Sequence, residues 1–296
     1  MMLRSFESIA PAYTLAFLSM AVFSANSLGQ EKSEKYHLQY KLSQGEQLVS
    51  KVVHRAETRT RMQNVDEVSS STTTSEKVWE VTEVNAKGEM TFEYRINSVK
   101  LTQSVGEGES IEYDSSAGSE VPEMFEPVAE TVGKTLATIT INSHGQVISR
   151  DKELKTPQLG MGELTLPLPK DPIAVGERWS VPREIRVKLE SGKQKRIKVR
   201  EVYTLDKVAT GVATLLIRTE VLTPVKEQAV RAQLIQQLSQ GKIKFDIDRG
   251  RLISKNLDWQ EEVVGFRGAD TSLNYDGRFT EELQSKRTAA RSSTKK

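Results

Sequence analysis

From Glu89 to Ile96 polar and apolar residues alternate without a break. Met90, Phe92, Tyr94 and Ile96 fall on one side, and Glu89, Thr91, Glu93 and Arg95 on the other. A period of two is that of a β-strand with one buried face. The same beat returns after Gly211, where Ala213, Leu215, Ile217 and Val221 share a side and Thr214, Arg218 and Glu220 lie on the opposite one. Each strand has an earlier partner, VWEVTEV at 78–84 and VYTLDKV at 202–208, joined through Asn85–Gly88 and Ala209–Gly211. Glycine sits there because a tight hairpin turn needs positive φ. Strands buried on one face only belong to antiparallel sheets.

Two further correspondences make this a repeat. GKTLATITINSHGQVISR at 133–150 faces GKIKFDIDRGRLISK at 241–255, which sets Gly133 against Gly241 and Gly145 against Gly250. QGEQLVSKV at 44–52 and VGERWSVPR at 175–183 open the two halves. Ahead of the second Gly-Lys, Val230, Leu234, Ile235 and Leu238 form a helical stripe, with Thr223 as cap and Pro224 in the first turn. The matching helical segment, 121–133, is shorter and interrupted by Pro127. The expected fold is mainly β (α+β), with curved antiparallel sheets in two related halves, 36–154 and 177–284, each carrying one packed helix. Pro157, Pro167, Pro169 and Pro172 mark 155–176 as a connector that cannot lie inside a sheet. Its Met161, Leu164, Leu166 and Leu168 imply that it packs against the halves. Residues 101–118 read as an acidic loop, 69–75 as either a loop or a strand, and 252–283 as a last hairpin turning near Gly265–Gly268.

The amino terminus changes the expected location. Arg4, an apolar run from Ala10 to Ala25, and small residues at Ala25, Ser27 and Gly29 give 1–29 the shape of a cleaved signal peptide. The run is too short and too interrupted, by Pro11, Tyr13 and Ser19, for a membrane anchor. An exported protein, periplasmic or extracellular, follows, touching a membrane only through the signal before cleavage. The chain has no cysteine, so burial alone must hold it together, and thiol nucleophiles and thiolate metal sites are excluded. Net charge is +2, but Lys286, Arg287, Arg291, Lys295 and Lys296 gather in 285–296, read as a disordered basic tail.

Candidate chemistry is sparse. His37, His54 and His144 are the only histidines, spaced so that no H-E-x-x-H face can form. No G-x-S-x-G or phosphate-binding loop is present. DIDRG at 246–250 lacks the ligands of a calcium loop and reads as a turn whose Asp248 bonds its own backbone. Glu107, Glu109, Glu112 and Asp114 solvate their loop; Glu261–Glu262 and Glu281–Glu282 point to opposite strand faces. Lys188, Lys193, Lys195, Arg196, Lys198 and Arg200 lie about a hairpin tip at Ser191–Gly192, which does not suit nucleic acid. No catalytic, metal or cofactor-binding residue is assigned. Arg95 and Arg218, matched in the repeat, mark either salt bridges or a shared binding surface.

With its signal, its Gly-Glu opening, KVWEVTEVNAKGEMTFEYRI and the closing GRLISKNLDWQEEVVGFRGADTSLNYDGRFTEEL, the chain resembles exported bacterial β-rich proteins of unknown function. In architecture alone it is similar to the half-barrels of bacterial lipoprotein carriers, which hold acyl chains in a concave face. The expected function is non-enzymatic binding of an apolar ligand or an envelope protein. The alternatives are a packed structural or assembly protein and a hydrolase with a spatially assembled site. Mass spectrometry of protein recovered from its own cells is expected to show a mature chain starting at Leu28 or Gln30; a chain retaining Met1 would refute the signal.

Overall fold

The computed structural model describes residues 34–152, 165–189 and 191–285. The predicted signal, most of the basic tail and the first part of the connector, with Met161 and Leu164, lie outside them. In chain order the strands are β1 (Lys35–Tyr36), β2 (Gln47–Met62), β3 (Val65–Val84), β4 (Met90–Val105), β5 (Ile111–Asp114), β6 (Thr135–Ile141) and β7 (Val147–Lys152). They continue as β8 (Ile173–Ala174), β9 (Arg178–Lys188), β10 (Gln194–Ala209), β11 (Val212–Val221), β12 (Gln240–Asp246), β13 (Arg251–Val264) and β14 (Thr271–Leu283). Helix α1 (Glu126–Ala129) joins β5 to β6, and α2 (Gln228–Leu234) joins β11 to β12. The protein is mainly β and antiparallel, with two short helices.

All strands but β1 and β8 form one sheet of order β7-β6-β4-β3-β2-β14-β13-β12-β11-β10-β9, with β5 also paired to β4. The meander β2-β3-β4-β6-β7 is repeated as β9-β10-β11-β12-β13, and β14 stands between the copies. The ladder bonds of the two meanders coincide at matched positions. Gly45 N–H donates to Val81 O (2.8 Å) and Val81 N–H to Glu46 O (2.9 Å); Gly176 N–H donates to Leu205 O (2.7 Å) and Leu205 N–H to Glu177 O (3.1 Å). Both second strands then bulge at the same place, between Val81 and Glu83 and between Leu205 and Lys207. A bulge deepens local twist, so the two meanders bend alike.

The register also corrects the sequence alignment. Tyr94 pairs with Ala137 and Ile217 with Gly241, so Ala137 is the partner of Gly241. Gly133 lies in the turn before β6, its N–H donating to Ile96 O (2.7 Å). The shared Gly-Lys dipeptide was coincidence. Helix α2 starts at Gln228, not at Pro224; Thr223 is taken up by β10, its hydroxyl accepting from Lys198 N–H (2.8 Å). Residues 101–118 are no loop: β4 runs on to Val105 and β5 folds back on it. The 69–75 run is strand, the middle of β3.

The alternating side chains of both meanders meet in one core, which includes Phe92, Ile139, Tyr203, Leu215, Phe245 and Phe279. That core needs a bent sheet, and the segment after β1 enforces the bend. Leu38, Tyr40 and Leu42 are buried while His37 is exposed, so the segment alternates as a strand does, but it crosses strand ends instead of joining the ladder. Tyr40 N–H donates to Ser143 O (2.7 Å) in the β6–β7 turn, and Lys41 N–H to Gly250 O (3.0 Å) in the β12–β13 turn. Those turns are six strand spacings apart along the sheet, about 29 Å if it were flat. Adjacent residues span only about 3.8 Å, so the sheet curls until the two turns meet.

The connector completes this end. Leu166 N–H donates to the Tyr40 hydroxyl (2.9 Å), Leu168 N–H to His144 O (2.8 Å), and Leu166, Leu168 and Ile173 are buried in the same core. Space is so short that a Cβ on Gly145 would collide with the Leu166 carbonyl and the Tyr40 ring, whereas Gly88 has open space around it. Both glycines have positive φ, +74° and +75°. In urea unfolding Gly88→Ala is therefore expected to cost about 1–2 kcal/mol through backbone strain alone, and Gly145→Ala about 1–3 kcal/mol more through overpacking. Equal losses would show that the strap does not press on the turn.

Candidate ligand pocket

Turns carrying Gly88, Gly145, Gly211 and Gly250 occupy one end of the curled sheet, and both helices the other, because each helix bridges the far ends of a strand pair. Helix α1 is one turn, with Phe125 and Val128 packed on Val99, Leu101 and Tyr113 of β4 and β5. Helix α2 reaches further. Val230 and Leu234 bury against Val187, Ile197 and Val199 of β9 and β10, and Ile235, in the 3-10 turn that follows, against Val263 and Tyr275 of β13 and β14. The stripe read from the sequence is thus split between two patches of sheet. The Gln233 carboxamide fastens the helix to the β9 edge by accepting from Lys188 N–H (2.8 Å) and donating to Lys188 O (2.7 Å). A side-chain amide there takes the place of a missing strand.

Spanning the gap where β11 and β12 have ended leaves a space beneath the helix. The cavity has a volume of about 340 Å³, with walls from Leu222, Pro224, Leu234, Ile235, Leu238 and Val263. That size is at the lower end of small-molecule sites. Among the described residues its only ionisable lining groups are Arg231 of α2 and Glu261 of β13. Arg231 is exposed; Glu261 is half-buried, and that burial pushes its carboxyl above the usual range while Arg231 pulls it back. No hydrogen bond or ion pair joins the two among the described residues. Sequence reading placed the apolar stripe in a helix but did not single out Arg231, and treated Glu261 only as half of an adjacent acidic pair.

A second cluster lies sealed in the core. Lys77 of β3 and Glu281 of β14 form an ion pair, both almost fully buried, at 3% and 4% side-chain exposure. Lys255 of β13, also buried, stands opposite Glu281 in register. A cavity of about 20 Å³ adjoins the pair, bordered by Tyr40, Ser50 and Trp79. It has room for one water and no larger guest. The other half carries a buried charge at the same repeat position: Glu201 replaces Lys77, bonded to Arg183 and accepting from the Tyr203 hydroxyl (2.6 Å).

The remaining singled-out residues separate. His54 sits edge-on to Trp259 at 6.0 Å, and burial lowers its pKa. His144 is in the β6–β7 turn, its Nδ1 3.4 Å from Ser143 Oγ, and His37 is exposed. No carboxylate hydrogen-bonds either half-buried imidazole, and no three His, Asp or Glu converge on a metal-sized point, among the described residues. The 246–250 turn is held by Asp246, which accepts from Arg249 N–H (2.8 Å), and not by Asp248 as expected. Arg95 pairs with Glu80 (2.7 Å) and Arg218 with Glu220 (2.6 Å). They stand directly opposite Val78 and Val202, so this repeated pair consists of salt bridges over buried valines.

No known protein family matches the chain, and no curated protein is similar to it in sequence. Among solved structures it is similar to lipovitellin, in a study of lipid–protein interactions, at 10% identity and a TM-score of 0.41. That alignment covers 83% of this chain and 26% of lipovitellin, so the chain spans about a quarter of its length. DynF from the dynemicin biosynthesis pathway of Micromonospora chersina aligns over 85% of this chain and 86% of its own, at 8% identity and a TM-score of 0.21.

Charge arithmetic in the sealed cluster fixes its response to mutation. Glu281→Gln removes the carboxylate that pairs with Lys77 and stands opposite Lys255, and is expected to cost about 3–5 kcal/mol in urea unfolding. Lys77→Met leaves Glu281 facing Lys255 and should cost less than half as much. The reverse order would mean that Lys255 does not share Glu281.

Proposed function

We propose that this is a non-enzymatic binding protein whose ligand is a small apolar molecule, or one short acyl chain, held beneath α2. The cavity of about 340 Å³ under that helix carries the reading. Elsewhere the inward face of the sheet is filled by the protein's own aromatic and aliphatic side chains. A guest in the centre of the sheet would have to displace them, whereas a guest beneath α2 displaces only solvent and gains by leaving water. The signal-like amino terminus supports the further reading that it works outside the cytoplasm, in the periplasm or beyond the cell.

The packed interior favours a second reading, a structural protein whose outer faces mediate assembly. The two readings differ in one measurement. Purified protein titrated with the neutral fluorophore N-phenyl-1-naphthylamine is expected to show saturable binding near one equivalent. Leu238→Trp, which fills the cavity from its rim, should weaken it by about tenfold or more, roughly 1.4 kcal/mol, with circular dichroism unchanged. Binding that is absent, or indifferent to Leu238→Trp, would favour the assembly reading.

A further inference from the structure

An apolar cavity explains affinity for a hydrocarbon body but says nothing of its head; the two charges at its wall do. Arg231 presents only donors and Glu261, when ionised, only acceptors. Both line one space, Arg231 from α2 and Glu261 from β13, with no ion pair between them among the described residues. The cavity is therefore charge-balanced and polarised, with a donor on one wall and an acceptor on the other. We propose that the ligand is an uncharged amphiphile whose hydroxyl bridges this gap, donating to Glu261 and accepting from Arg231; this rests on the ligand reading above.

Charged heads fit worse for a stated reason. A carboxylate would pair with Arg231 but confront Glu261, already half removed from water. An ammonium would pair with Glu261 but confront Arg231, which cannot be deprotonated. Each leaves one like-charge contact in a partly dry site, and such contacts carry most of the discrimination in polar recognition. A hydroxyl satisfies both walls at once and requires no proton to move.

Displacement of N-phenyl-1-naphthylamine by 1-decanol, decanoate and decylamine, equal in chain length, tests this at pH 7.5. Decanol is expected to displace at about tenfold lower concentration than either ion. Glu261→Gln should improve decanoate selectively, and Arg231→Gln should improve decylamine selectively. An ion displacing as well as decanol, or a ranking unmoved by both substitutions, would overturn the hydroxyl assignment while leaving the pocket intact. Failure of all three to displace would overturn the pocket itself, and the head-group assignment with it.

Discussion

Two consecutive backbone donors, Tyr40 N–H and Lys41 N–H, hold the fold closed. Each bonds to a different hairpin turn, and those turns belong to different meanders. Without that clasp the eleven-strand path could open toward a flat sheet, exposing one apolar face. With it, the aromatic and aliphatic residues of both copies face inward on a common core. The connector residues Leu166 and Leu168 then pack over the clasp and hide the Tyr40 hydroxyl by using it as an acceptor. Glycine at 145 and 250 is a consequence, since a side chain at either turn would occupy the space through which the strap passes.

At the opposite end the helices do the covering. Helix α1, a single turn, is matched to β4 and β5, which continue beneath it. Helix α2 must bridge from β9 to β13 because β11 and β12 have stopped. A seven-residue helix rises only about 10 Å, so it touches both banks and leaves space between them. The pocket is thus a by-product of unequal strand lengths in the two copies. Its apolar walls are the flanks of the bridge, and its charges come from the helix on one side and the sheet on the other.

Duplication has been tolerant of chemistry where geometry was kept. Lys77 and Glu201 occupy one position of the repeat with opposite charge, and each is neutralised by a strand the other half lacks or uses differently. On Lys77's side the carboxylate arrives on β14, the strand with no counterpart. On Glu201's side the guanidinium arrives on β9, where Val52 stands in the first copy. Buried charges of this kind are poor sources of stability but costly to mispair, so they favour the observed order of strands over a swapped one.

The local pattern of the chain determined the hairpins that turn at Gly88, Gly145, Gly211, Gly250 and Gly265–Gly268 and the plan shared by two halves, but neither the β2–β3 hairpin nor the β4–β5 one. Alternation and turn glycines are short-range properties, written within ten or twenty residues. Alignment of the Gly-Lys dipeptides failed because a two-residue likeness carries less information than a strand register, which the bulges and ladder bonds decide. The clasp at Tyr40–Lys41, the Lys77–Glu281 pair and the cavity beneath α2 were not legible, since their members lie from tens to more than two hundred residues apart. Val230, Leu234 and Ile235 announced a helix, but only the tertiary structure decided that Arg231 would look across a gap at Glu261. Periodicity specifies which face of an element is buried; what faces it depends on how the whole sheet curls.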